Sequence, residues 1–355
     1  MIKKERISFF QLFALLYTCR LLTVVTFSPT LNDGELNGNY LPDIFFFIVF
    51  LLLMIIPEAL FIKRFSGFTP VSLIKEQSDF FSKSAALFYS LVLLFFASVS
   101  VSRFYIFTTS VIFPEKNMSF LLVVSILVCA YSAFLGLEAT ARGNIVLLFI
   151  IIIGIASILF FVRNEMSLYN FEPIYSDSVG SYLKSGFFAA LRTVEATLLM
   201  FLVPKCSGKA KKSAAFWLLF FFFSLSVLFV FLNGVSGVFA ETQLFPFYSL
   251  AVIARFPFFD RLDAVITAVF IFSILVKTSL IFYVSAELLN GVLSKDRRVN
   301  LLLCSALVSV LSLVLSLNLG VHKAANSPYI FGGLMLLTTV IIPSVLIIKF
   351  KGKKV

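Results

Sequence analysis

The sequence predicts an all-α polytopic membrane protein with ten transmembrane helices and both termini cytoplasmic. Three observations lead there: the apolar content, the lengths of the apolar runs, and an alternation of charge between them. Hydrophobic residues make up 60% of the 355 and charged residues 13%, with mean hydropathy +1.03. A water-soluble domain has too few polar residues at that composition to cover its surface, whereas a bilayer solvates apolar side chains. Backbone groups in hydrocarbon must be satisfied internally, so long apolar runs form helices. A barrel would show short alternating segments instead.

The runs lie at about 7–28, 42–62, 80–112, 119–138, 143–162, 183–203, 213–239, 262–290, 299–318 and 328–349. Most approach or exceed the ~20 residues that cross ~30 Å of hydrocarbon as a helix. The third and eighth are long enough to tilt or to extend beyond the bilayer. Residues 1–355 read as a single transmembrane domain.

Charge between the runs orients them. Lys3, Lys4 and Arg6 precede run one, and Asp33, Glu35 and Asp43 follow it. Lys63, Arg64, Lys75 and Lys83 follow run two, and only Lys116 follows run three. Arg142 precedes run five. Arg163 is set against Glu165, Glu172 and Asp177. Lys205, Lys209, Lys211 and Lys212 come next, then Arg255 and Arg261 against Glu241 and Asp260. Lys295, Arg297 and Arg298 follow, then Lys323, then Lys349, Lys351, Lys353 and Lys354. One side collects 19 Lys and Arg, the other 5. The positive-inside rule makes the rich side cytoplasmic. The net charge of +11 is thus a topology signal; it calls for no nucleic acid, and the basic loops suit anionic lipid headgroups.

The Lys-Lys before run one resembles a signal peptide, but no small-residue cleavage site follows, so the run reads as an uncleaved first helix. Cys19, Cys129, Cys206 and Cys304 are scattered and form no CxxC. His322 has no partner cluster, is expected outside the apolar core, and argues against a metal site. No Walker, GxGxxG or HExxH pattern and no nucleophile–base pair occur, so neither an enzyme nor a cofactor is expected.

Charges inside the runs carry the functional signal. Lys184 is near an end and can snorkel. Glu58 and Glu287 fall toward cytoplasmic ends, Asp263 toward the outer end, and Glu138 with Arg142 makes an i,i+4 edge pair. Arg20, Arg103, Arg192, Glu195 and Lys277 remain deep. An unpaired charge at mid-bilayer costs about 3 kcal/mol or more, so these must face one another, a cavity or a ligand. The set marks a pocket between spans one, three, six and eight, unless it merely pins helices together.

Arg20 is followed nine residues later by Pro29, and Glu195 nine residues later by Pro204. The two lie in spans one and six, as a five-span repeat requires, with repeats at about 7–162 and 183–349. Five is odd, so the repeats are inverted. This is the five-plus-five transporter pattern, in which spans one and six break near the midplane and line the substrate site. Such proteins often hold a coupling cation between spans one and eight. Lys277, beside Ser273, Thr278 and Ser279, can stand there as a fixed cation or carry a proton, or it can simply pair with Glu195 or carbonyls.

Three stretches resemble the B subunits of spore germinant receptors, in the amino acid–polyamine–organocation transporter superfamily with its LeuT-like fold. They are FPFYSLAVIARFPFFDRLDAVITAVFIFSILVKTSLIFYVSAELLNGVL at 245–293, YSAFLGLEATARG at 131–143, and VEATLLMFLVPK at 194–205. Members commonly have a glycine-rich break in span one; here the segment reads TCRLLTVVTFSP, without glycine. Arg20 can supply the missing anion contact, or pair with Glu195 and close the pocket. The resemblance implies a subunit that binds a small nutrient, such as an amino acid, beside A-type and C-type partner subunits in an inner membrane, cell or spore, of a spore-forming bacterium. A proton-coupled amino acid transporter and a scaffold with a vestigial pocket are the competing readings.

Overall fold

The computed structural model describes residues 6–29, 31, 40–65, 68, 70–72, 80–114, 118–172, 178–207, 210–254, 262–293 and 296–350. The charges at Lys3, Lys4, Asp33, Glu35, Lys75, Lys116, Asp177, Lys209, Arg255, Asp260, Arg261, Lys295, Lys351, Lys353 and Lys354 lie outside the described residues, as does most of the turn before run eight.

The described residues are mostly helical. The elements are α1 (Phe9–Val25), α2 (Tyr40–Arg64), α3 (Phe80–Phe107), α4 (Ser119–Leu135), α5 (Leu137–Val162), α6 (Val179–Ala190), α7 (Val194–Leu202), α8 (Ala210–Ser236), α9 (Pro246–Ile253), α10 (Asp263–Leu293), α11 (Arg297–Leu317), α12 (Leu319–Ala325), α13 (Ile330–Leu336) and α14 (Ile342–Lys349). Single π turns extend α3 over Thr108–Ile112 and join α13 to α14 over Leu337–Ile341. Among the described residues seven helical runs are long and apolar enough to cross a membrane. A bent pair, α6 with α7, makes an eighth, and α1 and α4 are shorter apolar helices of 17 residues each.

Burial sorts the helices into a centre and a ring. Almost every residue of α1, α7 and the middle of α10 is buried, the signature of a helix apolar all round. α1 packs against α5, α7, α8 and α10, and α10 also packs against α3, α4 and α11. The outer helices turn Phe45, Leu53, Val146, Ile153, Leu219, Phe223, Leu302 and Val310 outward. A continuous apolar belt of this kind needs lipid, not water.

Local chemistry sets several boundaries. Ser8 and Gln11 form a reciprocal capping box that starts α1. Gly136, at φ 104°, separates α4 from α5, a backbone angle that a Cβ disfavours. The fifth helix therefore starts at Leu137, earlier than the expected 143, and the exposed Glu138–Arg142 pair, 2.5 Å apart, lies in its first turns.

The expected break in span six is present, whereas α1 has none through Val25. Run six is broken by 42° between Ala190 and Val194, well before Pro204, which only opens the short turn Val203–Lys205. No Gly or Pro stands at Leu191, Arg192 or Thr193. The turn forms because Arg192 and Thr193 donate to the carbonyls of Ala189 and Ala190, three residues back instead of four. Leu191 is seated on Gly332, where a Cβ would come within 2.5 Å of its side chain. α1 is unbroken through Val25; the chain then leaves the helix at Thr26 and stays buried through Phe27 and Ser28.

Candidate functional site

The break in run six places the central charges. Glu195 sits in the first turn of α7, where the helix N-terminus favours a carboxylate, and is completely buried. Lys277 of α10 brings its Nζ to 3.0 Å from Glu195 Oε1 and donates to Thr23 Oγ1 of α1 at 3.0 Å. One ammonium thereby ties α1, α7 and α10 together. Arg20 of α1 lies farther from the carboxylate, 3.9 Å from Oε2, and donates to the Arg192 carbonyl at 3.2 Å. Its guanidinium also faces the rings of Phe47 and Phe221. Neither Glu195 oxygen accepts a hydrogen bond of good geometry among the described residues, so the pair is held by charge more than by directed bonds.

Next to this trio is a small cavity lined by Thr23, Thr26, Ser100, Arg103, Arg192, Lys277, Asn326 and the apolar Leu22, Val99 and Phe331. Its volume, about 30 Å³ counted by the positions of water centres, leaves room for on the order of two waters. The structure thus brings Arg103, Arg192 and Lys277 to one cavity, while Arg20 and Glu195 stand behind it. Elements of spans one, three, six and eight line it, as do Asn326, just before run ten, and Phe331 within it.

Two closures flank the centre. At one end Arg192 donates to the Asn326 side-chain oxygen at 2.5 Å and to its carbonyl at 2.6 Å, Asn326 donates to the Leu31 carbonyl, and Arg103 donates to the Thr26 carbonyl. At the other end Ile7 pairs with Cys206 as an isolated bridge, with Ile7 N–H donating to Lys205 and Ser207 N–H to Ile7. Lys205 forms an ion pair with Glu287 and donates to Tyr283. Burial pushes the Cys206 thiol up from the ordinary cysteine value.

One expectation needs correction. His322 is completely buried, not outside the core, with Nδ1 3.0 Å from Ser102 Oγ, because α12 folds back against α3. Ser273 and Thr278, grouped with Lys277 as an ion site, are buried, and among the described residues the hydroxyl that Lys277 donates to is Thr23 on α1. The sequence reading also passed over Asn326 and Thr23, which are uncharged and carry no composition signal. It left Glu58 and Glu287 at the edge.

A bundle with a broken helix at its centre, buried opposite charges at the break and closures at both ends defines a polytopic membrane protein of the LeuT-like fold. The solved structures agree. Over 98% of this chain and 98% of the other, the fold matches MhsT in complex with L-phenylalanine at TM-score 0.65 and 14% identity. A substrate-bound, outward-open Na⁺-coupled sialic acid symporter matches at TM-score 0.59 and 14% identity, over 95% of this chain and 80% of that one. The spore permease family, described as spore germination proteins, matches residues 6–323, and the chain belongs to it. No curated protein matches. It is therefore a multi-pass membrane protein of the spore permease family, which marks it as a non-enzymatic protein associated with spore germination.

Proposed function

We propose that the chain is an alternating-access permease that binds a small carboxylate-bearing nutrient, such as an amino acid, and couples its movement to protons without Na⁺. The observation that carries this reading is the Lys277 ammonium, which bridges Thr23 of α1 and Glu195 of α7 from α10. That is where five-plus-five transporters hold a coupling cation. A lysine there supplies the positive charge permanently, or gives it up as a proton when its carboxylate partner moves.

The architecture goes with it: ten spans, with α6 and α7 forming one, inverted repeats over about 7–162 and 183–349 within one domain, and both termini cytoplasmic. The Ile7–Cys206 latch is then the inner gate and the Arg192–Asn326 contact the outer one. The cavity between them is the ligand site in a closed state. Arg103 and Arg192 take the carboxylate. Glu195 and Arg20 hold the broken helix in register behind it.

A second reading is favoured by the family itself: binding without net transport, signalling through A-type and C-type partner subunits in the spore inner membrane. One experiment separates them. Proteoliposomes are given a proton gradient, and uptake and binding of radiolabelled L-alanine and L-phenylalanine are measured in Na⁺ and in choline. Uptake undiminished in choline and lost in Lys277→Met is expected. Saturable binding without uptake selects the signalling reading. Strict Na⁺ dependence refutes the role given to Lys277, and neither binding nor uptake refutes the ligand class.

A further inference from the structure

Glu58 is not used by this site. It lies on α2, completely buried, and among the described residues neither carboxyl oxygen has a hydrogen-bond partner. It borders a second cavity of about 320 Å³, walled by Ile55, Ala59 and Ile62 of its own helix, Leu199 of α7, Val203 and Ala214 of α8. Lys63 also lines this cavity but forms no ion pair with Glu58 among the described residues. From α3, Tyr89 is near enough to feel a charge on Glu58, yet its hydroxyl donates to the Thr338 carbonyl. Among the described residues neither α7 nor α8 brings a titratable side chain to the cavity wall. α14, which packs on α2, carries Lys349, whose ammonium lies over the rings of Phe81 and Phe350.

An ionised carboxylate in such a setting would forfeit its hydration with nothing in return, several kcal/mol at the least. A neutral carboxylic acid loses far less. The groups that cover Glu58 are the inner half-helix of the broken run and the turn after it. That turn leads into Lys205 and Cys206, the latch to Ile7 and Glu287.

We propose that Glu58 is a second proton-binding site, neutral while α7 lies against α2 and releasing its proton to water when the latch opens and α7 moves away. The release step rests on the alternating motion proposed above; the protonated state in the closed form does not.

The test uses a hydrophobic carbodiimide, N,N′-dicyclohexylcarbodiimide, on the full chain in proteoliposomes, with peptide mass mapping. The acid O–H adds across the reagent's C=N bond, oxygen to carbon and proton to nitrogen, and the adduct rearranges to an N-acylurea with nothing lost. Only a protonated carboxyl in reach of an apolar reagent does this. Wild type is expected to carry the adduct on Glu58 both near pH 5 and near pH 8, and Glu58→Gln to lack it. Glu287→Gln, which frees the latch, is expected to label as wild type near pH 5 and several-fold less near pH 8. An unlabelled Glu58 at both pH values overturns the proton site. Labelling of the folded Glu287→Gln protein that is the same at both pH values overturns latch control. Labelling does not depend on amino acid uptake, so failure of the transport reading leaves its own mark in the uptake assay alone.

Discussion

Replacing Glu195 by Gln strands two cations at once, and the structure sets the scale of the penalty. At an effective dielectric of about 20, the 3.0 Å Lys277 contact amounts to about 5 kcal/mol of attraction and the 3.9 Å Arg20 contact to about 4 kcal/mol. Desolvation of the three groups offsets most of that in the intact protein. It is not recovered when one partner is removed, which is why breaking a buried pair costs about 3–5 kcal/mol. Glu195→Gln should therefore fall at the upper end of that range. Lys277→Met should cost less, about 2–3 kcal/mol, because Arg20 remains beside the carboxylate and can close its gap. The double variant should cost less than the sum of the two by about 2 kcal/mol. Trp217, the single tryptophan, is completely buried on α8, which packs on α1, and reports loss of tertiary packing. Unfolding in mixed micelles titrated with dodecyl sulfate, followed by its fluorescence, gives the four stabilities. Additive costs, or Glu195→Gln within about 1 kcal/mol of wild type, would refute an ion-pair centre.

Two further predictions concern the closures. Gly332→Val should displace Leu191 and cost about 1–3 kcal/mol by overpacking, read in the same titration, while Gly333→Ala, which meets open space, should be close to neutral. Cys206 should react with a maleimide more slowly near pH 7 than a free thiol, because burial holds it in the protonated form, and faster as pH rises. Lys205→Met should speed that reaction several-fold at fixed pH by loosening the latch; equal rates would remove Lys205 from the gate.

The sequence by itself determined the class of structure. Hydrocarbon leaves the backbone no partner but itself, so each long apolar run had to be helical. It also singled out the buried charges, because a charge in a run of Phe, Leu and Ile stands out without any structure. What only the tertiary structure decided is where the polypeptide bends and which charges meet. The break in span six falls at Leu191–Thr193, where a leucine is seated on Gly332 and an arginine is held by Asn326, contacts made across more than 130 positions of chain. Ser273 and Thr278 are near Lys277 in sequence, yet its hydroxyl partner is Thr23, far away on another helix. His322 and Glu58 were read as edge residues because hydropathy averages over a window, whereas burial depends on which helix crosses in front. Local chemistry chooses the helix; the environment of a single side chain is chosen by the neighbours that three-dimensional packing supplies.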